Sequence, residues 1–135
     1  MEFFAWITHK YIMHGFLWVF HESHHKPRKG KFELNDLFGF MFAIPSVYLV
    51  VMGSEAYDWR FYAGLGIALY GLAYFLVHDV FVHQRVMWLR TAQTPYFKAM
   101  RQTHHLHHAV HTKAGAEAFG FLFVPKRYFK KYGRG

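Results

Sequence analysis

Two stretches of this chain carry no charged side chain for 18 residues each: Leu37 to Ser54 (LFGFMFAIPSVYLVVMGS) and Phe61 to His78 (FYAGLGIALYGLAYFLVH). At about 1.5 Å rise per residue, a helix of that length reaches roughly 27 Å, close to a hydrocarbon core of roughly 30 Å. Two membrane-crossing helices account for the runs; two buried helices of a soluble bundle are the alternative for segments at the short end of the spanning range. The intervening SEAYDWR is long enough only to turn the chain round. The expected architecture is therefore all-α, with a transmembrane hairpin spanning about 37–54 and 61–78 inside a single domain of 135 residues.

Charge orients the hairpin. Five Lys/Arg precede Leu37, ten follow Asp79, and only Arg60 lies in the turn, beside Glu55 and Asp58. Cytoplasmic flanks hold the excess of Lys and Arg, so both termini are expected on the cytoplasmic side. A formal net charge of +8 would also suit nucleic acid, but beside uncharged runs it points to anionic lipid, and no nucleic-acid partner is expected. Pro45 is expected to kink the first span, and Gly64, Ala68 and Gly71 to give the second a small-residue face for helix packing. Met1 to Phe20, rich in aromatics but interrupted by Glu2, His9, Lys10 and His14, reads as a helix at or leaving the interface. It lacks the basic start and small-residue cleavage site of a signal peptide. Lys26 to Asp36 is a basic loop, with Asn35 and Asp36 as N-caps for the first span.

The chain has no cysteine and 12 histidines. Thiolate-ligated haem, iron-sulfur clusters and zinc fingers are excluded, and any metal must be held by nitrogen or oxygen. Ten histidines fall in four groups: His9 and His14 (HxxxxH), His21, His24 and His25 (HxxHH), His78 and His83 (HxxxxH), and His104, His107 and His108 (HxxHH). The pair of patterns occurs once on each side of the hairpin. At about 100° per residue, HxxHH puts three imidazoles on one face of a turn, where they can clasp an ion. If Thr8 to His25 were one helix, His14, His21, His24 and His25 would share an arc of about 100°. The HxxxxH pair stands about 140° apart on an α-helix, so it is better placed to flank two adjacent metals, or to sit on a locally widened turn, than to chelate one ion.

Ten nitrogens exceed the capacity of one metal. Two ions with about five imidazoles each is the natural division, and such a set suits iron, zinc or copper over magnesium or calcium. His105 points away from its box, toward solvent or an outer shell, while His111 lies within the arc of His104, His107 and His108 as an extra candidate. Asp36 and Asp79 could orient ligand imidazoles or act as caps, and Glu22 reads as a solvated charge. Chemistry at a metal pair requires no covalent nucleophile, and no nicotinamide or flavin fingerprint is present, so no catalytic group beyond the metal ligands and no organic cofactor site is expected. Histidine clusters at one end of the spans also argue against a metal transporter, which needs ligands along a path through the bilayer.

The order of boxes resembles the membrane fatty acid hydroxylase and sterol desaturase superfamily. The wording around the boxes, MEFFAWITHKYIMHGFLW, HESHHKPRKGKFELND, YFLVHDVFVHQR and HHLHHAV followed by FGFLFVP, is similar to its bacterial carotenoid-hydroxylating branch from Met1 to about Pro125. Members usually carry another apolar helix before the segment matching Met1. The resemblance implies a non-haem di-iron monooxygenase of the bacterial cytoplasmic membrane, with ligands His9, His14, His21, His24, His25, His78, His83, His104, His107 and His108 on the cytosolic side. It implies two iron ions, with zinc as a possible substitute, dioxygen, and electrons from an external ferredoxin-type donor. The implied substrate is beta-carotene or a similar apolar molecule, hydroxylated at carbon 3 of the beta-ionone ring to give zeaxanthin through cryptoxanthin. The boxes alone equally suit a carotenoid ketolase, a sterol or fatty acid hydroxylase, or a desaturase.

Overall fold

In the computed structural model, residues 1–27, 30, 32–85 and 94–132 are described. Arg28, Lys29, Lys31, Arg90 and Arg134, which the charge argument counts, lie outside them. No strand occurs among the described residues. Helix α1 (Glu2–Ile7) runs on as a π-helix over Thr8–Phe16, followed by α2 (Trp18–His21) and a 3₁₀ turn, Glu22–His25. A second 3₁₀ turn, Leu34–Asp36, leads into α3 (Leu37–Gly53). Helix α4 (Trp59–Tyr74) continues as a π-helix over Phe75–Val82, and α5 (Pro95–His108) and α6 (Lys126–Tyr132) complete the chain.

The starts of these helices follow from their caps. Asp58 accepts from the Arg60 backbone N–H at 2.9 Å, and Thr94 accepts from that of Phe97 at 3.3 Å with Pro95 in the first turn. The 3₁₀ turn ahead of α3 is capped by Glu33, whose backbone N–H donates to Asp36 at 2.9 Å in a capping box, and Asp36 takes the N-cap position of α3 without a side-chain cap bond. Asn35, expected as a cap, turns its side chain elsewhere. Thr8 to His25 is not one helix, because Gly15 leaves helical geometry at φ −103° and ψ −124° and bends the path.

Helix α4 runs back along α3. Their contact is set by two glycines: a Cβ on Gly64 would lie 2.7 Å from the Ser46 carbonyl oxygen, and one on Gly53 would lie 2.2 Å from the Phe61 backbone nitrogen. Ser46 Oγ, buried here, donates to the Gly64 carbonyl at 2.7 Å. The rest of the expected small-residue face has another use, since Ala68 and Gly71 border a cavity and leave α3 untouched at Gly71. Helix α3 passes through Pro45 unbroken.

Leu34–Gly53 and Trp59–Val82 are long and apolar enough to cross a membrane, and only 17% and 28% of their most apolar windows are buried. Phe40, Ile44, Val47, Val51 and Leu69 stand exposed, so these helices do not form the core of a soluble bundle. The buried core lies at one end of them, where Phe81 and Val82 pack with Ala99 and Met100 of α5 and Val124 and Tyr128 around α6.

Gly64→Ala is expected to cost 1–3 kcal/mol or more, because the added methyl meets backbone that cannot yield. Gly66→Ala, with open space around it, is expected to be neutral or stabilising by up to about 1 kcal/mol. Denaturation of both variants in detergent checks this; equal stability of the two would contradict the packing described.

Candidate metal centre

The ten box histidines converge at the ends of α3 and α4 in two groups of five. Cluster A holds His9, His14, His21, His25 and His107; cluster B holds His24, His78, His83, His104 and His108, and within each, one nitrogen from every ring lies within 4.8 Å of its counterparts. His25 stacks on His108 with ring centroids 4.5 Å apart, so the clusters share a wall.

The HxxxxH pairs do not straddle two positions: both His9 and His14 belong to cluster A, and both His78 and His83 to cluster B. The widened turn makes this possible. Thr8–Phe16 and Phe75–Val82 are π-helical, and the His83 backbone N–H donates to the His78 carbonyl at 2.9 Å, an i to i+5 bond that brings residues five apart onto one face. The HxxHH boxes behave opposite to expectation. His21 and His25 join cluster A while His24 crosses to B, and His104 and His108 join B while His107 crosses to A. Each half of the chain therefore supplies four histidines to its own cluster and one to the other. His105 and His111 are exposed and belong to neither cluster.

The orientation of each ring is fixed from behind. In cluster A every Nδ1 meets an oxygen: His9 the Phe119 carbonyl at 2.9 Å, His14 that of Lys113 at 3.1 Å, His21 Asn35 Oδ1 at 2.6 Å, His25 the Val110 carbonyl at 2.8 Å and His107 that of Glu117 at 2.7 Å. An Nδ1–H donating to oxygen leaves the lone pair on Nε2. Those lone pairs face each other at 3.1 Å (His9 and His21) and 3.2 Å (His14 and His107; His21 and His25). Neither nitrogen of such a pair can donate, so the contact is repulsive until a cation lies between them. In cluster B, His24 and His78 meet through Nε2 at 3.3 Å, His83 and His104 at 2.8 Å, and the buried Nε2 of His108 has no hydrogen-bond partner among the described residues. Metal-nitrogen bonds of about 2.1 Å space ligand atoms by about 3–4 Å, so both donor sets fit a metal ion after small side-chain adjustment.

Burial favours the neutral imidazole, the form a metal requires. It holds His9, His24 and His104 well below the usual value, and brings His25 down to about 4, His107 to about 3, and His21 and His83 to about 2, with neighbouring imidazoles pushing the same way.

From the sequence, Asp79 and Asp36 are candidates for orienting the rings, whereas Glu33 and Asn35 carry no legible signal for that role. Glu33 Oε2 accepts from His24 Nδ1 at 3.0 Å, and Asn35 holds His21. Asp79 approaches His78 Nδ1 at 3.6 Å; Asp36 does not touch a histidine but pairs with Arg85 at 2.9 Å, as Asp79 does at 3.0 Å. Glu22 pairs with Lys26 away from the clusters, in line with a solvated charge. The segment after His108 is a backbone cradle. Ala118 adopts the left-handed conformation (φ 60°), and the carbonyls on either side of it, Glu117 and Phe119, accept from His107 and His9. Glu2 ties this cradle down: its carboxylate accepts from the backbone N–H groups of Phe121, Leu122 and Phe123 at 2.8–3.1 Å and from Tyr70 Oη at 2.6 Å.

A largely apolar cavity of about 460 Å³ lies between α1, α3 and α4, bordered by residues such as Phe38, Phe42, Val47, Ile67 and Tyr74. At its inner end are Asn35, Asp79 and Phe121. The Phe121 ring stacks on His9 at 4.7 Å and Tyr74 on His78 at 4.5 Å, so the cavity ends one ring away from both clusters.

The sequence profile of the fatty acid hydroxylase family matches residues 1–127, and the chain belongs to that family. It is 46% identical over 125 residues to a beta-carotene hydroxylase of Pantoea ananas, covering 93% of this chain and 71% of that protein. It is 47% identical over 126 residues to a beta-carotene hydroxylase of Pseudescherichia vulneris, covering 93% of this chain and 72% of that protein. A chloroplastic beta-carotene 3-hydroxylase of Gentiana lutea is 42% identical over 130 residues, covering 93% of this chain and 40% of that protein. No solved structure matches.

Metal-stripped protein is expected to lose stability as pH falls below about 6.5. Unfolded histidines titrate near 6.5 and the folded ones lower, so in that interval the unfolded chain holds more protons and is favoured; above about 7 both states are neutral and the effect vanishes. Thermal melts should agree between pH 7.5 and 8.5 and fall at pH 5.5; an unchanged melt at pH 5.5 would contradict the burial of neutral rings.

Proposed function

We propose that this chain is a beta-carotene 3-hydroxylase: a single-domain, multi-pass enzyme of the bacterial cytoplasmic membrane that uses dioxygen to convert beta-carotene to zeaxanthin through cryptoxanthin. The observation that carries the reading is the adjacency of two five-imidazole clusters to an apolar cavity of about 460 Å³ between apolar helices. The similarity to bacterial and plant beta-carotene hydroxylases selects the substrate.

His9, His14, His21, His25 and His107 would hold one iron, and His24, His78, His83, His104 and His108 the other, each through Nε2. When bound, the pair supplies activation of dioxygen strong enough to attack an unactivated ring C–H bond. The protein's own contribution is placement. Phe38, Phe42 and Ile67 receive an apolar ring and its chain, while Phe121 and Tyr74, stacked on cluster histidines, set how far the ring advances. Neighbouring ring methylenes differ little in reactivity, so attack at carbon 3 depends on that stop, and displacement by about 1 Å would already matter.

Leu34–Gly53 and Trp59–Val82 span the membrane as a hairpin, and the clusters lie on the cytoplasmic side with both termini. Electrons come from a separate ferredoxin-type donor, drawn to a face that carries 15 of the 16 Lys/Arg. The exposed aromatics Phe3, Phe4 and Phe16 lie in lipid at the interface.

Expression in carotene-producing bacteria is expected to yield cryptoxanthin and zeaxanthin. Ketocarotenoids alone, or altered sterols or fatty acids beside untouched beta-carotene, would refute the product while leaving the clusters intact. Purified protein should carry about two iron or zinc ions per chain, and His24→Ala and His107→Ala should each lower metal content and abolish turnover; full activity in both would remove the ligand assignment. Reporter fusions near Tyr57 and at Gly135 should fall on opposite sides of the membrane.

A further inference from the structure

The two clusters are alike in ligands and unlike in surroundings. Behind cluster A all five Nδ1 atoms meet neutral oxygens, four backbone carbonyls and the Asn35 amide, at 2.6–3.1 Å. Behind cluster B a carboxylate takes that place, Glu33 at 3.0 Å from His24 Nδ1, and a second one, Asp79, lies near His78 Nδ1 at 3.6 Å without a hydrogen bond to it. Arg85 reaches Asp79, Asp36 and Glu33, one guanidinium against three carboxylates. Exposure differs as well. All five histidines of A are buried, whereas His83 and His108 of B are partly exposed and line a second cavity of about 310 Å³ together with His24, His104 and the exposed His105 and His111; of the five in A, the buried His25 also borders it. Two ring nitrogens of B, His78 Nδ1 and His108 Nε2, are buried without a hydrogen-bond partner among the described residues.

We propose that the clusters are two functionally distinct metal sites: A a closed site with neutral support that retains its ion, and B a carboxylate-supported site whose ion exchanges with solvent and is the one an external ligand can reach. This rests on the two-ion reading above. A carboxylate accepting from a ligand imidazole raises that ring's basicity and adds negative charge near the ion, which a carbonyl does not do. The five rings of A are all buried and each is held from behind by a neutral group, with only His25 reaching the polar cavity. In B, four of the five rings border that cavity and two of them, His83 and His108, are partly exposed, which leaves a direction for entry and exit.

The test uses the full chain in detergent, loaded with cobalt(II), whose visible absorption reports nitrogen ligation, and then mixed with excess chelator. Wild type should release two ions per chain in two phases of equal amplitude. Glu33→Gln should weaken the fast-released ion 10–100-fold in competition titration and leave the slow one unchanged. Asn35→Ala should weaken the slow ion and leave the fast one unchanged. Should Glu33→Gln fail to fold, Asp79→Asn serves in its place, since it alters the same cluster without touching the capping box. Release of both ions in one phase would overturn the inference, as would a Glu33→Gln effect on the slow ion or on both alike. Loading of a single ion per chain would instead overturn the two-ion reading on which it stands.

Discussion

Ten imidazole lone pairs directed at two small volumes inside a protein are a strained arrangement, and most of the rest of the structure serves to hold it. Each ring must be dry enough to stay neutral and must be prevented from rotating its N–H inward. Burial does the first and an acceptor behind Nδ1 the second. In cluster A those acceptors come mainly from the backbone between Val110 and Phe119, a segment with no regular structure of its own. Such a segment needs anchoring. Glu2 supplies it from the other end of the chain, collecting three successive N–H groups while Tyr70 of α4 holds the same carboxylate. The first residues, the second apolar helix and the C-terminal region are thus bound to one another through a single side chain.

The same requirement explains two departures from α-helical geometry. Residues five apart point about 140° away from each other on an α-helix, and both HxxxxH pairs would be split. Inserting one residue per turn over Thr8–Phe16 and Phe75–Val82 realigns them at the cost of poorer hydrogen-bond geometry. A cost of this kind, incurred at equivalent places in both halves of the chain, marks a functional demand more than a packing accident. The exchange of His24 and His107 between clusters follows a parallel logic. In each HxxHH box the fourth position lies to the other side of the first and fifth, so two boxes facing each other trade their middle members.

Much of this was legible in the sequence, for reasons that separate cleanly. The two apolar helices and their turn were readable because charge-free runs and a capping Asp58 are local signals. The grouping of ten histidines was readable because spacing carries it. Which histidine joins which cluster was not, since α-helical angles were assumed where the chain is π-helical and bent at Gly15. Asn35 looked like a cap because Asx residues cap helices, yet a capping box between Glu33 and Asp36 displaces it and frees its amide for His21. The cradle from Val110 to Phe119 was invisible for a deeper reason: it acts through backbone carbonyls, which every residue type offers equally.

The position of the clusters relative to the apolar helices is itself constrained. His78 lies within the last turns of the second apolar helix, and α5 packs on that same helix end through Phe81 and Val82. Moving the clusters further along α4 would surround them with exposed apolar surface and remove the acceptors that α5 and its following segment provide. Moving them outward would separate them from the apolar cavity that Phe38, Ile67 and Tyr74 border. Arg85 sits at this boundary, lining both the apolar cavity and the histidine-lined one, with its charge taken up by Asp36 and Asp79. A guanidinium so paired stands between an apolar cavity and one lined by histidines. The helix ends are therefore where an apolar and a polar cavity both border the same group of ten histidines.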